Sequence, residues 1–236
     1  MAATPCLLAT ALVLLLIPGP ALAETATSCG PPRQGTPLAS TSLLRPANQP
    51  APEPALDYRH RLHTTAHGWP IQSTWCVWVE PAETPPPAPS TRWLEAVAGA
   101  LEEWRSVVAV QLVPSPEQAH ITLWRRRPPL GQDRDGRPRA SHGRAVLSLL
   151  GGGGSPPARV EPQVRVLISP EQRFEAIQAT ALHELGHAFG LWGHSDDPAD
   201  AMAVSPGSRP ILRLSGRDRA TIRWLYSQPS PMGSTP

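Results

Sequence analysis

The chain has 236 residues, a formal net charge of +2, 40% hydrophobic residues and 31 prolines. With charge this nearly balanced and no basic run longer than Arg125-Arg126-Arg127, the composition speaks against a nucleic-acid-binding protein. Beyond residue 23 no apolar stretch approaches the ~20 residues needed to span a bilayer, so no membrane span is expected, and the remaining length suits one domain with a full hydrophobic core plus tails.

Residues 1–23 read as a secretory signal. An apolar run from Cys6 to Ile17 is followed by a Pro18-Gly19-Pro20 break and by Ala21-Leu22-Ala23 as a small-x-small cleavage site. Export is therefore expected, to a periplasm, a cell surface or the medium. Without the signal, Cys29 and Cys76 are the cysteines left, and in an exported protein they suit one disulfide tying the N-terminal tail to the domain. Residues 24–66 are rich in Pro, Ala, Ser and Thr with little periodicity, the composition of a flexible arm that would also suit a pro-segment. His60, His63 and His67 form a short cluster in it, readable as a metal-binding tract or as solvated tail histidines.

The folded domain is expected over residues 67–228, with a tail at 229–236. Thr74 to Val79 is β-branched and aromatic, a strand ending at Pro81. After a proline-rich connector, Ser90 or Thr91 suits an N-cap, and Trp93, Leu94, Val97, Leu101, Trp104 and Val108 recur at helical spacing, one buried stripe. Val108–Leu112 and His120–Trp124 read as strands. His120 on the second is open to a second metal site or to an ordinary hydrogen bond. The loop Gly131 to Gly136 is oxygen-rich like a calcium loop but lacks that loop's remaining ligands, so a structural calcium has no further support. Gly143–Leu150 reads as an edge strand closed by Gly151 to Gly154, and Val164–Ile168 as a buried one. Ser169-Pro170-Glu171 then opens a long helix anchored by Phe174, Ile177, Leu182, Leu185 and Phe189. Near the C-terminus Ser215 caps a helix with Asp218 at its third position, and Ile222, Leu225 and Tyr226 face inward.

On the long helix lies His183-Glu184-Leu185-Gly186-His187, followed by Gly190, His194 and Met202. Residues four apart on a helix are separated by about 400° of rotation, so His183 and His187 share one face and reach a single ion. Glu184, one step round, is placed to take a proton from water held at that ion. Gly190 is suited to end the helix in the left-handed conformation and turn the chain back, bringing His194 up as third nitrogen. Three protein ligands leave one position of a tetrahedral zinc open, the mark of a catalytic site.

These residues resemble the metzincin zinc peptidases, whose pattern is H-E-x-x-H-x-x-G-x-x-H with a downstream Met-turn, and within that clan the matrixin-like branch. Trp192-Gly193 places His194 eleven residues after His183, one more than the pattern has. Gly193, at the usual third-ligand position, has no side chain to offer. A one-residue bulge at Gly193 is therefore expected, with His194 as ligand and Asp196 as the substitute. The resemblance implies an α+β fold: a twisted mixed β-sheet, two long helices including the active-site helix, and a small C-terminal subdomain. It further implies one catalytic Zn2+ on His183, His187 and His194, Met202 in the Met-turn beneath it, and Ala203–Pro210 as the wall of a substrate pocket. The edge strand Gly143–Leu150 would pair with the substrate backbone, and Cys29, as an alternative to the disulfide, would cap the zinc as a thiolate.

The expected activity is that of an exported zinc metalloendopeptidase acting on a peptide or protein substrate, with Glu184 as general base on a zinc-activated water. The rival is a non-catalytic exported zinc protein that holds peptides in the cleft; the retained Glu184 argues against it, since a structural site is usually closed by a fourth protein ligand.

Overall fold

The computed structural model of the protein describes residues 29–30, 35–38, 44–52, 56–132, 136–151, 160–204, 207 and 209–232. Residues 1–23, expected as a secretory signal, the centre of the oxygen-rich loop at 133–135, the glycines after 151 and part of the 203–210 segment lie outside them. In chain order the strands and helices are β1 (Thr36–Pro37), β2 (Arg45–Pro46), β3 (His63–Thr64), β4 (Trp75–Val79), α1 (Ala88–Arg105), β5 (Val110–Leu112), β6 (Ile121–Arg125), β7 (Gly131–Gln132), β8 (Pro138–Arg139), β9 (Gly143–Gly151), β10 (Val160–Ile168), α2 (Phe174–Ala188) and α3 (Gly216–Tyr226).

The architecture is α+β, a mixed sheet with three helices. The sheet runs β1-β9-β10-β6-β4-β5. β5, β4, β6 and β10 are mutually parallel, whereas β9 and β1 run antiparallel to their neighbours. Parallel neighbours need a crossover between them, and α1 supplies the one from β4 to β5. Its stripe of Trp93, Val97, Leu101 and Trp104 is buried as the spacing predicts, and the indole N–H groups of Trp93 and Trp104 donate to Ile168 O at 3.2 Å and Leu182 O at 2.9 Å. The second of these bonds ties α1 directly to α2.

Two helix starts differ from expectation. α1 begins at Ala88, with Pro87 before it and Ser90 buried inside, because a proline at the helix start sacrifices no donor that the helix needs. α2 begins at Phe174 rather than at Ser169, whose N–H is engaged by His142 O at 2.9 Å. The ends agree better. Gly190, at φ +108, takes the left-handed conformation that stops α2, and Ser215 and Asp218 form the capping box that opens α3.

The N-terminal arm is not loose over its described part. Cys29 and Cys76 form a disulfide, so Cys29 does not serve as a thiolate cap: its sulfur is spent on Cys76. β1 pairs with β9, and β2 with β3. Tyr58 and Leu62, assigned to the arm by composition, are buried in the core, because the Tyr58 hydroxyl donates to Asp218 at 2.7 Å and fastens the segment to α3. At the other end Met232, in the expected tail, is also buried, and the Ser230 hydroxyl donates to Trp69 O at 2.6 Å. β9 is likewise not a bare edge strand, since Thr36 and Pro37 lie opposite Gly151 and Leu150.

Candidate metal centre

α2 presents His183 and His187 from successive turns of one face, their ring centroids 4.8 Å apart. The turn at Gly190 then brings back His194, whose ring centroid lies 5.2 Å from that of His183 and 4.9 Å from that of His187. One nitrogen from each ring falls within 4.8 Å of the others, and this is the group of potential metal ligands found among the described residues. Of the two candidates for third ligand, the structure gathers His194 and leaves Asp196 aside. The Asp196 oxygens accept from Arg217 at 2.8 Å and from Arg61 at 3.0 Å. The hydrogen bond from Arg217 is the main reason its carboxyl is held down at about 2.

The extra residue in the spacing is accommodated at Gly193. A Cβ there would collide with the backbone carbonyl of Arg61, so the bulge needs glycine for space, not merely for flexibility. His194 can then swing in beside the helix.

Two of the imidazoles are oriented by the backbone. His183 Nδ1 lies 2.9 Å from Ala201 O, and His187 Nδ1 lies 2.8 Å from Leu191 O. A carbonyl oxygen only accepts, so each Nδ1 carries the proton and each Nε2 is left with a lone pair, the arrangement that metal-bound histidines show. Burial holds both rings below the usual imidazole range, His187 far below, and the neighbouring histidines push His187 further down. His194 is lowered to about 4, again by burial first and then by His183. Three imidazoles held neutral by burial and facing one point fit a bound cation. The donor set is one that zinc accepts.

Glu184 lies beside this group and is 9% exposed. Burial raises its carboxyl to about 7, opposed by the backbone N–H of Ala145 and by the charge of Arg144. Beneath α2, Met202 is fully buried, its sulfur lodged where a Cβ on Gly186 would stand. The segment carrying it is knitted back onto the third-ligand loop: Ser195 N–H donates to Met202 O at 2.8 Å, Ala201 N–H donates to Asp218 at 2.8 Å, and both Ser195 and Ser215 hydroxyls donate to Asp200.

These residues open on a cleft of about 560 Å³ lined by Leu44, His63, Gly143, Arg144, Ala145, His183, Glu184, His187, Trp192, Gly193 and His194. Of the histidine cluster in the arm, only His63 reaches the cleft. Its N–H and its Nδ1 both engage Trp192 O, at 2.6 and 3.1 Å. His60, His63 and His67 do not gather as a metal group among the described residues. His120 is structural, for its Nδ1 accepts the Cys76 N–H at 3.0 Å and its ring stands edge-on to Trp75. Leu44, His63 and Trp192 were not picked out as cleft residues from sequence. No local spacing could have marked them, because Leu44 and His63 lie more than a hundred residues before Trp192 and the helix histidines.

No family model matches the chain, and no curated protein matches it.

Proposed function

We propose that the protein is an exported zinc-dependent endopeptidase of the metzincin, matrixin-like type, with Zn2+ held by Nε2 of His183 and His187 and by a ring nitrogen of His194. The observation that carries this reading is the combination of three converging neutral imidazoles with a buried carboxylate, Glu184, at the floor of an open cleft. A closed structural site would have a fourth protein ligand in that place.

Zinc, when bound, supplies Lewis acidity toward a carbonyl oxygen and toward water. Glu184 accepts a proton from the attacking water at a carboxylate oxygen. As the water oxygen bonds to the peptide carbon and the C–N bond breaks, it passes that proton to the leaving nitrogen. Glu184 is a buried carboxyl whose ordinary acidity burial weakens in the metal-free chain, and a carboxyl group within reach of the bound water is the residue type that both takes and returns a proton in such a step. The N–H of Ala145 and the packing of α2 hold the carboxylate in place. Met202 supports the helix from below, and the capping box of Ser215 and Asp218 anchors the Met202 segment in turn.

The test is digestion of a mixed peptide library by the zinc-loaded protein beside its Glu184→Gln variant. Chelator-sensitive cleavage by the wild type, lost in a variant that keeps one zinc per chain, is the expected result. Zinc binding by both with cleavage by neither would overturn the peptidase and leave a peptide-holding zinc protein.

A further inference from the structure

The rings of His183 and His187 are each held by a backbone carbonyl, Ala201 O and Leu191 O. His194 differs from them, for among the described residues no hydrogen bond holds its ring. Its place beside the pair is therefore set by the backbone of the loop that carries it.

That loop is tightly wound. The Trp192 N–H donates to Gly190 O at 2.8 Å and the Gly193 N–H to Leu191 O at 3.0 Å, two successive bonds that each close over a single residue. The next carbonyl, Trp192 O, is taken by a residue 129 positions earlier. His63 donates to it from its backbone N–H at 2.6 Å and from its ring at Nδ1 at 3.1 Å. A carbonyl oxygen has two lone pairs and only accepts, so it takes both bonds and the ring proton lies on Nδ1.

His63 is itself fixed. It pairs with Pro46 in the β2–β3 ladder, the preceding Leu62 is buried, and the Ala47 N–H donates to Leu62 O at 3.0 Å. One residue further back, Arg61 O stands where a Cβ on Gly193 would be. Residues 61–63 thus meet the loop at Trp192 and Gly193, the two positions before His194. The Trp192 ring is stacked on His187 with centroids 5.5 Å apart and planes at 15°, so a shift at Trp192 reaches the second ligand as well. Arg61 also pairs with Asp196 beyond His194, but the two side chains are 41% and 47% exposed, and such pairs contribute little. The weight falls on His63.

We propose that His63 is a positioning residue of the metal centre: by holding the Trp192 carbonyl it fixes the backbone from which His194 reaches the ion, in place of the ring hydrogen bond that His194 lacks. The inference rests on the reading above that the three imidazoles hold zinc, but it concerns how the third is held and not turnover. A loop already ordered before the metal arrives loses little conformational entropy on binding it. Freeing the Trp192 carbonyl therefore lowers metal affinity without removing a ligand, and losing an outer partner of this kind costs about 10–100-fold. A segment whose composition suggested a flexible arm or pro-segment is on this account part of the metal site.

The test compares the full-length chain with His63→Leu, His63→Asn and His63→Gln. Asparagine carries an amide N–H close to where Nδ1 stands, whereas the glutamine amide sits one bond further out, nearer the place of Nε2. Zinc affinity is read by competition against a chromogenic chelator, and amide hydrogen exchange of residues 177–187 and 190–196 is followed in the metal-free proteins. The expected result is a loss of about tenfold or more in the leucine and glutamine variants and retention within about threefold in the asparagine variant. Exchange at 191–195 should quicken in the same two variants while α2 keeps the protection of the parent. Equal affinity in all four proteins overturns the proposal, as does an asparagine variant as weak as the leucine one or a glutamine variant as strong as the parent. Should leucine also loosen α2, the asparagine and glutamine variants decide between themselves. Failure of the zinc reading shows separately, as a parent chain that binds no zinc; loop exchange then decides alone, and uniform exchange across the four proteins overturns the role of His63. Absence of cleavage by a zinc-loaded parent would remove the peptidase and leave the order of affinities as it is.

Discussion

The sulfur of Met202 occupies the space that a side chain on Gly186 would need. Gly186 lies between the two helical histidines, so the Met202 segment and the ligand face of α2 are in contact at the one residue of that turn without a Cβ. Gly186→Ala should destabilise the protein by about 1–3 kcal/mol through overpacking, more than the modest gain of placing alanine in a helix. Met202→Ala alone should cost about 2–5 kcal/mol. Because each change makes or relieves the same crowding, the double variant should cost less than the sum of the two. Urea denaturation of the four proteins checks this, and strict additivity would mean that the two residues do not press on each other.

The third ligand can be tested at three neighbouring positions. His194→Ala should weaken metal retention by more than about 100-fold, beyond the usual effect of losing an outer partner. Asp196→Asn should leave it unchanged, since that carboxylate is engaged by Arg61 and Arg217. Gly193→Ala should behave like a partial loss of His194, because the methyl group has no room against the Arg61 carbonyl. Competition against a chromogenic chelator ranks the three, and a larger effect at Asp196 than at His194 would reassign the ligand.

With the metal removed, Glu184 makes a pH-dependent contribution to stability. Its folded carboxyl is raised from 4.5 to about 7 by burial, so the protonated form is favoured in the folded state. The associated stability is complete below pH 4.5 and is lost as the pH rises through about 7. Glu184→Gln removes the charge while the histidines stay the same in both proteins. The variant should match the metal-free wild type near pH 4 and exceed it near pH 8 by about 3 kcal/mol. Denaturant midpoints measured across that range decide it, and a difference independent of pH would show that Glu184 is not buried as a neutral acid.

The disulfide between Cys29 and Cys76 closes a loop of 47 residues, which in the chain-entropy account contributes about 4 kcal/mol. Cys29→Ser should lower stability by a substantial part of that while zinc stoichiometry stays at one per chain. Loss of metal on this substitution would instead indicate a thiolate ligand.

The primary sequence by itself determined the local features of this protein. Two histidines four apart share a helix face whatever surrounds them, Gly190 after His187 dictates a left-handed stop, and Ser215 with Asp218 writes a capping box, because each depends on backbone geometry over a few residues. The buried stripe of α1 was legible for the same reason. Tertiary structure decided the rest. His194 rather than Asp196 joins the pair because Arg61 and Arg217 claim the aspartate and the Arg61 carbonyl leaves room only for a glycine at the bulge. Glu184 is raised to about 7 because β9 and α2 together bury it. The arm's composition suggested a free tail, yet a disulfide, a two-residue ladder and the buried Tyr58 bind it to the fold. Such pairings join residues tens to more than a hundred positions apart, and no local periodicity records them.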